Sequence, residues 1–391
     1  MALQMLHVVQ ISFFADRQGR PPAQLLEAWS TLRDVAEAAC AAGVRVSVVQ
    51  ACSRAERLQR LGVWYYFLPF GEMLGPAVGK AALRELLGKL APDVLHVHGL
   101  DFAGDVVALK ALAPNIPIVL QDHASRPPRI WRRASWRRAN SVAAGIAFCA
   151  TDQAQPFTAA GLIGPQTQVY EIPESTTHFA PGDRKEARRL TGIEGSPAVL
   201  WVGHLDANKD PLTVLEGIAR AARVLPELRL YCCYGNAPLL SAVQDRIAKD
   251  PELRDRVRLV GRVPHERIEW LMRAADLFIL GSHREGSGYA LIEALACGLP
   301  PVVTDIPSFR ALTGSGKVGV LWPPEDPDAV SRAVQSIAGR SGPELRTAVR
   351  THFERELSPL ALGLKLSAMY EDVLQRSGAT MPVTQQRAES R

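Results

Sequence analysis

The sequence predicts an α/β protein with two doubly wound domains, each a parallel sheet with helices on both faces. Two observations predict this class. Short apolar runs alternate with helical patterns along most of the chain, and strands that alternate with helices form parallel sheets. The chain has 391 residues, more than one hydrophobic core usually serves, so two domains of ordinary size are expected.

The first alternating series predicts a domain over residues 1–175. Its expected elements are, in order, a strand at 5–12, a helix over about 22–42, a strand at 44–50, a helix near 77–90, a strand at 93–99, a helix near 103–112 and a strand at 116–123. The expected strands are short apolar runs, and the expected helices have helical periodicity. One doubly wound sheet accounts for this part of the chain.

A stretch rich in proline, glycine and charge at 173–197 predicts the domain boundary, and the second domain is expected over 176–342. Its elements are, in order, a strand at 198–204, a helix at 210–224, a strand at 228–235, a helix at 238–248, a strand at 256–262, a helix at 265–274, a strand at 275–282, a helix at 289–297 and a strand at 300–305. A helical stretch at 343–376 follows. The polar segment 377–391 is typical of a disordered tail.

Composition excludes several classes of protein. The net charge of +5 is mild and spread along the chain, so nucleic acid is not an expected partner. The six cysteines form no C-x-x-C pair and no zinc-type cluster, which indicates neither a metal site nor a disulfide framework. The apolar N-terminus lacks a basic leader and a cleavage site, and no apolar run is long enough to cross a bilayer. We therefore expect a cytoplasmic protein.

The most informative stretch is GSHREGSGYALIEALACGLPPVVT at 281–304. It places Glu285 eight residues before Glu293, with a glycine-rich turn between them and a helical pattern from Tyr289. A buried strand precedes the turn, so the backbone N–H groups of the helix start face the sheet edge, where a diphosphate fits. The two carboxylates can accept hydrogen bonds from hydroxyls at opposite ends of one ligand. The expected ligand is a polyol joined to a phosphate.

This stretch resembles the hallmark of the retaining glycosyltransferases with the GT-B fold, family 4. That hallmark is a glutamate, seven further residues and a second glutamate, followed by a small residue, the sequence Gly-Leu-Pro and a buried strand. The matching residues are Glu285, Gly286, Gly288, Glu293, Ala294, Cys297, Gly298, Leu299 and Pro300. The resemblance implies two Rossmann-like domains facing a cleft, the first binding the acceptor and the second the nucleotide sugar. It also implies that the helices of 343–376 return to the first domain.

The resemblance implies roles for the residues of this stretch. Glu293 would bind the ribose hydroxyls and Glu285 the hydroxyls of the donor sugar. The turn would come close to the distal phosphate and supply backbone donors to it, through Gly286, Ser287, Gly288 and Tyr289. The alternative is an amphipathic helix with two surface glutamates.

A second element of the resemblance is WVGHLDANKDP at 201–211. Gly203 and Lys209 match family positions, and Lys209 would hold the donor diphosphate. His204 stands where arginine is usual. Because histidine is neutral over much of the physiological range unless a phosphate raises its pKa, Lys209 is expected to carry most of the electrostatic load. A solvated surface lysine is the alternative.

Further candidates lie at the ends of other strands. His123 ends the strand at 116–123, at the edge where open α/β sheets bind ligands, and by resemblance it contacts the transferring sugar; a structural histidine is the alternative. His98, which ends the strand at 93–99, is a second candidate for an acceptor contact. The loop at 260–268 resembles the one that reads the nucleobase in relatives, which makes Arg262 and Val263 candidates, although an ordinary turn fits equally well.

The most basic stretch, 126–139, has Trp131 and Trp136 interleaved among six arginines. Arginine with tryptophan suits an anionic lipid surface or an acidic acceptor, with Trp131 and Arg132 as the contact residues. The alternative is a solvated helix whose two aromatic side chains point inward.

Together these features predict a metal-independent, retaining transferase without a resident cofactor. It would move a hexose from a nucleoside-diphosphate sugar, its co-substrate, to a hydroxyl of a glycan, a lipid-linked or a small-molecule acceptor. The candidate catalytic residues are His123, Lys209 and Glu285. If the basic stretch binds lipid, the protein would sit peripherally at the inner face of the membrane.

Two alternatives stay open: a sugar-nucleotide epimerase of the same fold, and a non-catalytic nucleotide-sugar-binding protein. The second is kept because of His204 and because the loop at 11–24 lacks the Gly-Gly pair of many family members. A dinucleotide-dependent oxidoreductase is disfavoured, since no G-x-G-x-x-G follows an early strand.

Overall fold

A computed structural model of the chain describes residues 5–378 except 17, 75–79, 166 and 341. The chain divides into two compact units. The first unit combines the chain up to Ser175 with the segment from Pro359, and the second unit is Thr176–Ser358.

The first unit is built on a sheet whose strands are β1 (His7–Ser12), β2 (Arg45–Cys52), β3 (Glu56–Arg60), β4 (Val63–Pro69), β5 (Val94–His98), β6 (Ile118–Gln121), β7 (Gly145–Phe148) and β8 (Gln168–Glu171). Their order is β3-β4-β2-β1-β5-β6-β7-β8. β3 pairs antiparallel with β4, and the remaining pairs are parallel. The strand order reverses between β1 and β5, so the predicted doubly wound sheet is confirmed.

In the described part of the chain up to Ser175, the helices of this unit are α1 (Pro22–Ala28), α2 (Ser30–Ala41), α3 (Phe70–Met73), α4 (Ala81–Leu90), α5 (Ala103–Leu112), α6 (Arg133–Val142) and α7 (Gln155–Ala159), with 3-10 turns at Ile130–Arg132 and Thr151–Ala154. The helix predicted over 22–42 is interrupted at Trp29. The hairpin of β3 and β4 is not among the elements predicted from the sequence. The start of the helix predicted near 77–90 lies outside the described residues.

The sheet of the first unit is buried on both faces. Successive residues of β1 belong to different apolar clusters, Val8 to one and Val9 and Ile11 to the other, because side chains alternate across a strand. Between these apolar residues β1 also buries Gln10. A buried amide requires hydrogen-bond partners, and these partners lie next to the candidate site.

The second unit has the strands β9 (Ala198–Val202), β10 (Arg229–Cys233), β11 (Val257–Gly261), β12 (Leu277–Leu280), β13 (Pro301–Thr304) and β14 (Val320–Trp322). Its helices are α8 (Arg184–Thr191), α9 (Pro211–Ala222), α10 (Leu240–Lys249), α11 (Pro251–Arg254), α12 (His265–Ala274), α13 (Tyr289–Ala296), α14 (Pro307–Thr313), α15 (Pro327–Ala338) and α16 (Pro343–Glu356). The strand order is β11-β10-β9-β12-β13-β14, with parallel pairing. The order reverses between β9 and β12.

The C-terminal helical stretch is divided between the two units. α16 belongs to the second unit, whereas α17 (Pro359–Arg376) belongs to the first. The helices predicted over 343–376 thus begin in the second unit and end in the first, with the change of unit at Pro359. Periodicity predicts a helix but not which surface the helix covers. Residues 379–391, most of the predicted tail, lie outside the described residues.

Two further facts bear on the environment of the protein. None of the helices in the described part of the chain has the length and apolarity of a membrane span. The thiols of Cys40, Cys52, Cys232, Cys233 and Cys297 are free.

Gly363 lets α17 lie directly on α2, since a Cβ at this position would overlap the backbone carbonyl of Ala38. We expect Gly363→Ala to lower the free energy of unfolding by roughly 1–3 kcal/mol, as overpacking does. Gly88→Ala is the control: Gly88 is exposed within α4 and a Cβ there meets nothing within 4 Å. That variant is expected to be more stable by about 0.5–1 kcal/mol. Urea unfolding followed by circular dichroism measures both changes, and equal effects would contradict the packing argument.

Candidate functional site

The loops that follow β9 and β12, residues 203–210 and 281–288, lie side by side because these strands are neighbours in the sheet. The backbone N–H of His283 donates to the carbonyl of Asn208 at 2.8 Å. The side-chain amide of Asn208 donates to the carbonyl of Arg284 at 2.9 Å. Ligands of open α/β sheets bind where the strand order reverses, and these two loops occupy that place.

The backbone around Lys209 is held closely against the second loop. A Cβ on Gly281 would lie 3.0 Å from the carbonyl oxygen of Lys209, so a larger residue would push the loops apart. The N–H of Lys209 donates to Asp206 Oδ1 at 2.9 Å. The next residue, Asp210, caps α9 by accepting from the N–H of Thr213 at 3.2 Å. These contacts fix the position from which the lysine side chain extends.

Lys209 and Glu285, predicted separately from two motifs, are in contact. The ammonium Nζ meets the carboxylate Oε1, and the two side chains are only 16% and 13% exposed. An ammonium can donate to phosphate oxygens and a carboxylate can accept from hydroxyls. The pair therefore presents both functions that a sugar phosphate requires.

The turn at 286–288 leads directly into α13. Gly288 has a φ of 83° and is the N-cap of this helix. A Cβ there would lie 2.5 Å from the ring of Phe309, so both the conformation and the space require glycine. Gly286 and Ser287 are buried beside it, and Tyr289 is the first residue of α13. The four residues predicted to face a phosphate thus form the start of a helix, where the dipole favours negative charge.

Glu293 is 3% exposed, and its Oε1 contacts Nε2 of His265, whose side chain is 57% exposed. His265 is not among the residues predicted from the sequence. The feature that could have identified it is its position as the first residue of α12, directly after the loop proposed to bind the base. A carboxylate has two oxygens with several acceptor positions, so a ribose hydroxyl predicted to bind Glu293 would share the group with this imidazole.

A cavity of about 250 Å³ lies at the carboxyl ends of β9, β10 and β11. It is lined by Val202, Gly203, His204, Cys233, Tyr234, Gly235, Gly261, Arg262, Val263 and Ile268. The predicted residues His204, Arg262 and Val263 are thus brought together. Lys209 Cδ lies 3.7 Å from the place that a Cβ of Gly203 would occupy, so the lysine side chain passes close to one of the residues that line the cavity.

His204 occupies its position with a defined hydrogen bond. Its Nδ1 accepts from the backbone N–H of Asn236 at 3.1 Å. In the neutral ring the proton is therefore on Nε2, which makes this atom a donor. A donor at this place partly replaces the arginine that the family resemblance leads one to expect.

In the first unit His123 lies at the end of β6 within a chain of polar side chains. Its Nδ1 is 2.6 Å from Glu174 Oε2, and its Nε2 is 3.1 Å from Nδ1 of His98. The Nε2 of His98 is 3.3 Å from Gln10 Oε1. His98 is buried, and burial holds its pKa well below the ordinary value. Since both its ring nitrogens meet protein groups, the structure gives no support to a direct acceptor contact by His98.

The two tryptophans of 126–139 have opposite environments. Trp136 is buried and its ring stacks on that of Phe157 at 6.1 Å. Trp131 is 72% exposed and Ile130 77% exposed, and the guanidinium of Arg129 lies 5.3 Å from the Trp131 ring centroid. The interpretation in which both aromatic side chains point inward therefore holds for Trp136 alone.

Two protein-family models match the chain. The family described as "Glycosyltransferase Family 4" matches residues 28–154, and "Glycosyl transferases group 1" matches residues 183–351. Both models describe glycosyl-transferring proteins, and each matches within one of the two units.

Individual proteins give the same indication. The chain is 28% identical over 276 residues, 67% of its length and 70% of the relative's, to a GDP-mannose:cellobiosyl-diphosphopolyprenol alpha-mannosyltransferase of Xanthomonas campestris. It is 32% identical over 170 residues, 41% of its length and 38% of the relative's, to a D-inositol 3-phosphate glycosyltransferase of Geodermatophilus obscurus. Among solved structures, Anabaena HepE in complex with UDP aligns with a TM-score of 0.69 at 16% identity, covering 94% of this chain and 100% of that one. This last similarity concerns the fold alone.

Asp122, next to His123, is buried, and burial raises the pKa of its carboxyl to about 6. A carboxyl whose pKa is higher in the folded than in the unfolded state lowers stability as the pH rises from about 4 through 6. We therefore expect Asp122→Asn to increase the free energy of unfolding by roughly 2–3 kcal/mol at pH 7, since one pKa unit is worth about 1.4 kcal/mol. At pH 4 the gain should nearly vanish.

Urea unfolding at the two pH values measures this difference. Asp101→Asn is the control, because Asp101 is exposed although it lies 3.5 Å from the hydroxyl of Ser125. A gain for Asp122→Asn that does not depend on pH would show that the buried charge is not its cause.

Proposed function

Because the chain belongs to the family 4 glycosyltransferases with the GT-B fold, we propose that it transfers a hexose from a nucleoside-diphosphate sugar to an acceptor hydroxyl with retention of the anomeric configuration. The contact between Lys209 and Glu285 at the strand-order reversal of the second sheet carries this proposal. It combines a cation for the diphosphate with an acceptor for sugar hydroxyls.

The chemical demand is to stabilise the leaving diphosphate. The bond between the anomeric carbon and the diphosphate oxygen breaks, the diphosphate takes the electron pair, and the acceptor oxygen forms the new bond. Lys209, the start of α13 and the Nε2–H of His204 supply positive potential where this charge develops. The released phosphate oxygen takes the acceptor proton, so no side-chain base is required.

The remaining parts of the donor are assigned to neighbouring groups. Glu285 binds hydroxyls of the transferred sugar and Glu293 those of the ribose. The cavity beside Arg262 and Val263 accommodates the base, and the closeness of the Lys209 side chain to Gly203, which lines this cavity, supports the assignment. In the first unit His123 is the residue proposed to contact the transferring sugar. The positive charge comes from side chains and a helix start, so transfer is expected to continue in the presence of EDTA.

An acceptor linked to lipid is favoured by the surface of the first unit. Ile130 and Trp131 project there as exposed apolar side chains. Exposed arginines flank them, namely Arg126, Arg129, Arg132, Arg137 and Arg138. Apolar side chains among cations suit the interface of an anionic membrane. The relative from Xanthomonas campestris is named for an acceptor on a diphosphopolyprenol, and the free thiols of Cys40, Cys52, Cys232, Cys233 and Cys297 suit the reducing cytoplasm.

Lys209→Ala and Glu285→Ala are each expected to lower transfer by about 10²-fold, as the loss of one preorganised electrostatic contact does. Product release from GDP-mannose or UDP-glucose, with a polyprenyl-diphosphate-linked disaccharide as acceptor, measures the rate, and the anomeric proton coupling of the product reports retention. Lys185→Ala is the control, because Lys185 is an exposed lysine of α8. Near-normal turnover in both site variants would refute the assignment. Conversion of the donor without any acceptor would indicate an epimerase.

Replacing both Ile130 and Trp131 by serine is expected to weaken binding to anionic vesicles by at least about tenfold, since burying one large apolar side chain is worth roughly 1.5–3 kcal/mol. Co-sedimentation with phosphatidylglycerol vesicles measures this, and phosphatidylcholine vesicles should bind less. Leu364→Ser, which removes an exposed leucine of α17, is the control. Unchanged sedimentation together with weaker acceptor binding would assign the surface to the acceptor.

A further inference from the structure

We propose that Glu174 is a positioning residue that fixes the ring orientation and the protonated nitrogen of His123, with His98 bracing the ring from its other nitrogen. This inference rests on the proposed function for its meaning in catalysis. The ring state itself is a property of the first unit, so it is measurable whether or not sugar transfer occurs.

The strand order brings the three side chains together. β5, β6, β7 and β8 are consecutive in the first sheet, and parallel strands end at the same edge. His98 ends β5, His123 follows β6 by two residues, and Glu174 follows β8 by three. The contact between His123 and Glu174 joins residues that are 51 positions apart in the chain.

The contact with Glu174 determines which nitrogen of His123 is protonated. An ionised carboxylate only accepts hydrogen bonds, so the proton between Nδ1 and Oε2, which are 2.6 Å apart, is on Nδ1. Both side chains are partly buried, with exposures of 18% and 17%. Limited access of water makes such a charge-assisted hydrogen bond strong.

The other nitrogen of His123 meets a histidine that stays neutral. Burial lowers the pKa of His98, so this ring has one N–H and one lone pair. With the Gln10 oxygen facing His98, His98 donates from Nε2 and accepts from Nε2 of His123 at Nδ1. With the Gln10 amide turned over, Nδ1 of His98 donates and Nε2 of His123 accepts. Protonation of Nδ1 towards Glu174 is common to both patterns.

The His98 ring, which contacts His123, is itself packed in the core of the first unit. The rings of His98 and His96 stack with centroids 4.5 Å apart. Nδ1 of His96 lies 2.8 Å from the hydroxyl of Tyr370 on α17, and burial lowers the pKa of His96 to about 3. The rings of His96 and His98 are therefore neutral and packed, so they support the His123 ring from one side while the Glu174 carboxylate determines which nitrogen of His123 is protonated.

The ring state is tested by nitrogen NMR of protein labelled with ¹⁵N-histidine, with the His123 signals assigned from their loss in His123→Gln. The wild type is expected to show a protonated Nδ1. Glu174→Ala should lose this signature, whereas Glu174→Gln, whose amide oxygen still accepts, should keep it. If Glu174→Ala does not fold, Glu174→Met removes the acceptor while filling the space. A His123 spectrum that is the same in Glu174→Ala or Glu174→Met as in the wild type overturns the proposal.

Steady-state kinetics test whether the contact between Glu174 and His123 contributes to catalysis. We expect kcat to fall about tenfold to a hundredfold in Glu174→Ala, as activity does when a metal-binding histidine loses the carboxylate that orients it, and to recover largely in Glu174→Gln. The donor KM should change by less than about twofold, because a positioning residue acts on the substrate only through His123. Glu171→Ala, an exposed carboxylate at the end of β8, should leave spectrum and kcat unchanged. An unaltered kcat in Glu174→Ala rejects the positioning role, whereas an inactive wild type with the expected spectra rejects only the proposed function.

Discussion

Each sheet reverses its strand order once, and this constraint decides where functional side chains can meet. At a reversal the connections on either side turn in opposite directions, so the loops beyond the strand ends leave a crevice that helices do not fill. In the second unit the reversal lies between β9 and β12, whose pairing aligns Ile279 with Trp201. Lys209 and Glu285 are 76 positions apart in sequence, yet each lies only a few residues beyond its strand. Their contact follows from sheet topology together with the glycine at 281.

The sequence predicted what depends on local pattern. Glu285, the turn at 286–288 and the start of α13 form one continuous segment, and strand-turn-helix periodicity was enough to identify it. The fold class followed from the alternation of strands and helices. The hairpin of β3 and β4 was missed because β3 is largely exposed and therefore lacks the apolar run by which buried strands are recognised.

Partners that depend on neighbouring elements could not be predicted. The contact between His265 and Glu293 requires that α12 and α13 lie next to each other, and the contact between Glu174 and His123 requires the order β6-β7-β8. Glu174 also lies at the start of the proline-rich stretch that was interpreted as a boundary. Helical periodicity likewise gave α16 and α17 as one stretch, although Pro359, a residue favoured at helix starts, marks the point where the chain changes units. Local pattern thus identifies elements, and only the packing decides their partners.

The contact of Lys209 with Glu285 has a consequence for ligand binding under the proposed function. Both groups are largely withdrawn from water before a ligand arrives, so much of the cost of desolvating them is already met by folding and by their mutual attraction. A diphosphate that takes over the ammonium leaves the carboxylate to accept from sugar hydroxyls of the same ligand. The exchange is favourable only for a molecule that offers an anion and hydroxyl donors together. A ligand with only an anion, or with only hydroxyls, would leave one of the two buried charges of the protein without a partner. Selectivity for an activated sugar over free diphosphate or free sugar would then come from this pair itself.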